Sequence, residues 1–123
     1  MPINWTISHP RRVVEVDVEG EISLAEVEHY LDALVVADAM PYAKLVDCRK
    51  MTAHWNDDEV MLLGARIRAY ASAMKGGPVV FVVGTPEIRD YARRYINLTP
   101  GEREVKIESS PEAARIWLQA QPT

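Results

Sequence analysis

The stretch KLVDCRKMTAHWNDDEV, residues 44–60, joins a short apolar run, Ala43 to Cys48, to three consecutive acids that open a long helical pattern. A brief apolar segment bounded by polar residues reads as a buried strand. Beyond it, Val60, Leu63, Ile67, Tyr70 and Met74 recur at helical spacing, and Gly76-Gly77 is expected to end that helix in the left-handed conformation glycine adopts cheaply. Asn56 stands where a helix cap belongs, Glu59 completes a capping box, and Asp57 and Asp58 complement the positive end of the helix dipole. The stretch therefore encodes strand, loop and capped helix, the step from which an α/β chain is built.

Upstream, Val14, Val16 and Val18 alternate with Glu15, Asp17 and Glu19, the pattern of a strand with one wet face, so Val13 to Gly20 is assigned to a strand. Ile3, Trp5 and Ile7 alternate in the same way, and His9-Pro10-Arg11-Arg12 supplies a turn, which makes the opening residues an antiparallel hairpin. Ser23 and Glu26 form a second capping box, followed by Leu24, Val27, Leu31, Leu34 and Val35 in a helix running to about Ala39. Downstream, Pro78 to Gly84 is apolar on both faces, as a strand covered by helices must be. Thr85-Pro86 starts a third helix, Arg103 to Glu108 alternates as a last strand, and Ser110-Pro111 opens a helix carrying Ala114, Trp117 and Leu118.

The predicted fold is α/β: an N-terminal antiparallel β-hairpin, then alternating helices and strands, giving a mixed, mostly parallel five-stranded sheet with four helices. Helices that separate strands impose crossover connections, hence the parallel pairing. With 123 residues the chain has the size of one domain, assigned to residues 1–123. Its composition, 48% hydrophobic and 26% charged, is that of an ordinary globular protein. A net charge of −4 argues against a nucleic-acid partner, since phosphate binding draws on a surplus of Lys and Arg. No apolar run approaches the roughly 20 residues of a transmembrane segment. The lone Cys48 has no partner for an internal disulfide, and the expected location is cytoplasmic.

The antiparallel opening pair, the alternation that follows, and Leu45-Val46-Asp47 leading to a helix start about ten residues later resemble the STAS domain, the fold of anti-sigma-factor antagonists. The likeness is to the SpoIIAA-like group that is classed with lipid-binding Sec14 domains as STAS/SEC14. It covers about Val13 to Leu118 and implies a regulatory, protein-binding module. In the antagonists, an Asp-Ser-Ser-Gly turn at this place carries a serine that the anti-sigma kinase phosphorylates. Here the matching residues are Trp55-Asn56-Asp57-Asp58, and no Ser or Thr lies between Ala53 and Ala71. The resemblance therefore implies a module without the phosphorylation switch, in which fixed acids stand where a phosphate would.

Candidate partner-binding residues are His54, Trp55, Asn56, Asp57, Asp58 and Glu59. A tryptophan in a loop is the kind of residue that docks partners, although packing over the helix as a hydrophobic staple explains it equally well. On the third helix, Arg89, Arg93 and Arg94 form a basic face, a candidate anion or lipid-headgroup site. His9, His29 and His54 lack metal-ligand spacing, so no metal site is assigned. No nucleophile motif and no glycine-rich phosphate loop is present, and neither cofactor nor catalysis is expected. Two partner classes follow: a protein, including a second copy in a homodimer, or a small lipid or apolar ligand. An internal apolar cavity favours the ligand; a flat exposed patch around Trp55 favours the protein.

Overall fold

The computed structural model describes residues 2–73, 76–98 and 104–121. Their elements follow the predicted order: β1 (Ile3–Ser8), β2 (Val13–Glu21), α1 (Leu24–Val36), β3 (Ala43–Thr52), α2 (Asp57–Ala73), β4 (Val79–Val82), α3 (Pro86–Leu98), β5 (Val105–Glu108) and α4 (Pro111–Gln119). They form one sheet of order β1-β2-β3-β4-β5, with β1 antiparallel to β2 and every later pair parallel. The mixed, mostly parallel sheet with four helices is thus present as expected.

The alternation in β2 decides which side is which. Val14, Val16 and Val18 join Ile3 beneath α1, where Tyr30, Leu31 and Leu34 close a first core. On the opposite face, Leu45, Val80 and Val82 pack against Ala114 and Leu118 of α4. Cys48 and Val83 meet Ile88 and Ala92 of α3 on the first face. Three helices therefore cover one side and α4 alone covers part of the other, leaving Glu15 and Asp17 of β2 exposed.

Several details differ from the sequence reading, β4 at Val79–Val82 against the expected Pro78 to Gly84 among them. The α1 helix stops at Val36 rather than Ala39, capped by Ala37, and the chain turns through Asp38 at φ 59. Strand β3 runs on past Cys48 to Thr52, because a register shift against Asp17 and Glu19 of β2 breaks the alternation and lets Lys50, Met51 and Thr52 resume pairing. Gly77 is not in the left-handed region, and the link from α2 to the glycine pair runs through residues 74 and 75, outside the described residues. Gly77 is required for a different reason: a Cβ there would lie 2.3 Å from the carbonyl oxygens of Pro41 and Tyr42. Met74, Arg103 and the residues after Gln121, part of the expected helix end, strand start and tail, lie outside the described residues.

Candidate functional site

The acidic junction is a helix start held on all sides. Asn56 Oδ1 accepts from the Glu59 amide at 2.8 Å, and Glu59 Oε1 accepts from the Asn56 amide at 3.2 Å, the reciprocal capping box read from the sequence. Asp57 forms an ion pair with Arg94 of α3, so one of the three arginines assigned to an anion face is engaged within the fold. Asp58 and His54 are exposed, as are Met61 and Leu62 one turn further along α2. Arg93 is exposed and Arg89 half-buried.

Trp55 is not an exposed patch. Its ring is half-buried against the first core and tilted over Tyr91 at a centroid distance of 5.5 Å. Trp55 Nε1 donates to the carbonyl of Ile22 at 3.1 Å. Tyr91 Oη both accepts from the Trp55 amide at 3.2 Å and donates to the Trp55 carbonyl at 3.1 Å. One side chain thus ties the β2–α1 connection, the β3–α2 loop and α3 together at the ends of the parallel strands, where open α/β sheets commonly bind ligands.

Beneath this knot lies a cavity of about 160 Å³ between the sheet and the three helices. Val16, Val18, Val46 and Phe81 form its floor; Leu63, Gly64 and Ile67 of α2 form its roof. The α2 helix packs against α3. Polar contacts at its margins hold the helix in place: Arg66 Nε sits 3.6 Å from Glu28 Oε1, and the Tyr70 hydroxyl donates to the Asp32 carboxylate. That hydrogen bond to a carboxylate raises the Tyr70 phenol above its ordinary pKa. Cys48 also lines the cavity, and burial pushes its thiol up to about 12, far from the thiolate that reacts.

Lys44 is the one charged residue in the described wall of this cavity. It is 5% exposed, and Nζ donates to the carbonyls of Met40 at 2.6 Å and Tyr42 at 2.8 Å. Sequence reasoning passed over it. The available signal was parity: Lys44, Val46 and Cys48 share one face of β3, so a lysine that looks like a strand flank in fact points inward. Tyr91 and Gly64, which also line the cavity, were not singled out from the sequence either.

On the opposite face, an open groove of about 520 Å³ lies beside α4. There Arg49 grips Asp47 through Nε to Oδ1 at 3.0 Å and Nη2 to Oδ2 at 2.8 Å, which holds that carboxyl below its usual range. Among the described residues, no group of three or more His, Cys, Asp or Glu side chains is placed to hold a metal ion, and no helix is long and apolar enough to cross a membrane.

No protein-family model and no curated protein matches the chain. Among solved structures, the anti-sigma factor antagonist SpoIIAA in its unphosphorylated form aligns at TM-score 0.61 and 13% identity, over 97% of this chain and 99% of that one. An uncharacterised DUF3478-family protein with a SpoIIAA-like fold, from Shewanella loihica PV-4, aligns at TM-score 0.65 and 16% identity, over 94% of this chain and 93% of that one. At such identities the likeness speaks for architecture alone, and with the strand order and pairing above it makes this a STAS-type, SpoIIAA-like α/β fold.

Proposed function

We propose that the protein is a single-domain, non-enzymatic binding module of STAS type that holds a small apolar ligand in the cavity beneath α2. The observation that carries this reading is the cavity itself, about 160 Å³ of space walled almost wholly by apolar side chains where a packed core would leave none. An apolar cavity of about 150 Å³ in another protein binds benzene, so the space suits a single ring or a short chain of roughly six to ten heavy atoms. A two-chain phospholipid of the Sec14 kind exceeds it. Trp55, half-buried and tied to Ile22 and Tyr91, serves here as the wall at one end rather than as a docking anchor. The lone, buried thiol of Cys48 fits work in the reducing cytoplasm. Native mass spectrometry of protein freshly purified from cells tests the proposal. A reproducible added mass of one to two hundred daltons (about the mass of so small a ligand) is expected; protein that is always bare and takes up no added apolar compound refutes it.

A second reading, protein capture, is favoured by the outer surface of α2. Asp58, Met61 and Leu62 lie three and four residues apart, share one face and are exposed, Met61 by 58% and Leu62 by 49%. Since α2 roofs the cavity, a partner docked there would sense whether the cavity is filled. Asp58→Lys with Leu62→Glu should abolish capture of such a partner while leaving the fold intact, and equal capture by both proteins removes the reading. Self-association as a homodimer is the simplest case, read directly from sedimentation of the two.

A further inference from the structure

The β1 edge of the sheet stands apart from the cavity and from the outer face of α2. Strand order puts β1 at one end of the sheet, and among the described residues no strand pairs with its outer side. Sheet edges are ordinarily blunted by charge, proline, a bulge or brevity, because an open row of N–H and C=O groups invites another strand. The opposite edge follows that rule: β5 has four residues and carries Lys106 and Glu108. Over its six residues, β1 has neither a charge nor a proline, and its register with β2 runs without a shift.

The ladder fixes which backbone groups point outward. Pro2 and Glu19 are next in register after Ile3 and Val18, and the Glu19 amide donates to the Pro2 carbonyl at 2.7 Å, which makes them a hydrogen-bonded pair. Bonded and non-bonded pairs alternate along an antiparallel ladder. Asn4, Thr6 and Ser8 therefore turn their backbone groups toward β2, while Ile3, Trp5 and Ile7 turn theirs to the open edge. These three are symmetric about Trp5. A second β1, brought up antiparallel on a two-fold axis through Trp5, sets Trp5 opposite the partner's Trp5, Ile3 opposite the partner's Ile7 and Asn4 opposite the partner's Thr6, with the outward N–H groups facing carbonyls.

The side chains agree with the backbone. Ile3, Trp5 and Ile7 belong to the first core, and Asn4 and Thr6 are exposed on the other face, so the pairing puts apolar against apolar and neutral polar against neutral polar. It opposes no like charges. Trp5 and Ile7 are half-buried in one chain, and a paired strand would cover more of both. The Trp5 ring is held edge-on against His29 and Tyr30 of α1, at centroid distances of 6.1 and 5.3 Å, which keeps it beneath the helix and clear of the edge. We propose that this edge binds a second copy of the chain, through antiparallel β1–β1 pairing that joins the two sheets into one.

Sedimentation of the full chain should then show a species of twice 13.9 kDa. Asn4→Lys together with Thr6→Lys sets like charges directly opposite one another across the axis, whereas within one chain the new side chains face Asp17 and Glu15 of β2. That variant should keep its circular dichroism spectrum and dimerise roughly tenfold more weakly. Asn4→Lys with Thr6→Glu sets opposite charges at the same two places and should restore dimerisation. An unaltered protein that stays monomeric overturns the proposal and leaves the edge to an extended segment of another protein. A dimer indifferent to both variants, as one formed through the outer face of α2 would be, overturns it as well, and so does one that both weaken alike. Should a variant not fold, amide hydrogen exchange of the unaltered protein decides. The amides of Ile3, Trp5 and Ile7 should gain protection as protein concentration rises, and fast exchange at these three beside slow exchange at Asn4, Thr6 and Ser8 at every concentration refutes the pairing.

Discussion

Gly64 offers the most direct probe of the space under α2. It sits in the middle of a long helix, is buried, and faces the cavity alongside Leu63 and Ile67. A glycine inside a helix costs about 1 kcal/mol relative to alanine, because the unfolded chain gives up more conformational freedom. If the cavity is open space, the added methyl group also leaves water for an apolar wall, a gain of about 0.8 kcal/mol. Gly64→Ala should therefore stabilise the protein by about 2 kcal/mol. At this chain length that corresponds to a rise in melting temperature of roughly 8 °C, read by calorimetry or by urea denaturation. Gly64→Leu, which projects a full side chain into the same volume, should fill it and abolish uptake of apolar compounds. Higher stability together with lost binding is the signature of a void kept for a ligand. A Gly64→Ala protein less stable than the original would show that atoms already occupy that volume, and the cavity account would fail with it.

Other substitutions separate the structural roles of neighbouring residues. Asn56→Ala should lower stability by about 1 kcal/mol in urea denaturation, the usual worth of a helix cap, with no effect on ligand uptake. Gly77→Ala should cost on the order of 3 kcal/mol or more, since its Cβ would lie 2.3 Å from backbone oxygens, whereas Gly84→Ala, whose Cβ would stand 3.0 Å from the Arg49 carbonyl, should be far milder. A similar loss for both would remove the close-approach explanation of Gly77. Cys48 should resist iodoacetamide at pH 8 in the native protein and react once it is unfolded. Because the thiol's folded pKa is raised from 9.0 to about 12, its contribution to stability is complete below pH 9 and is lost as pH climbs toward 12. Rapid native alkylation at pH 8 would contradict its burial.

What the sequence made legible was whatever depends on local pattern. The period of two in Val14, Val16 and Val18 and the two capping boxes, Ser23 with Glu26 and Asn56 with Glu59, are satisfied within a few residues, so they can be read without knowing the fold. Long-range facts were not accessible in that way. The continuation of β3 through Arg49 and Lys50 looks polar because those residues lie on the partly uncovered face, where Lys50 reaches Glu19. Gly77 owes its identity to Pro41 and Tyr42, far from it in sequence. A cavity leaves no local mark at all: Tyr30, Phe81 and Ile67 have the same spacing whether they meet one another or leave a gap. Of the acids at 57–59, Glu59 completes the cap and Asp57 pairs with Arg94, while Asp58 stays exposed in the first turn, where its charge complements the helix dipole.

Methyl-resolved NMR during titration with toluene tests the binding cavity most directly, because the protein carries its own control in two separate cores. The account predicts saturable shifts in Val16, Val18, Val46, Leu63 and Ile67, which line the cavity, and none in Leu45, Val80, Val82 and Leu118 beneath α4. Shifts absent from the first group, or equal in the two, would contradict it.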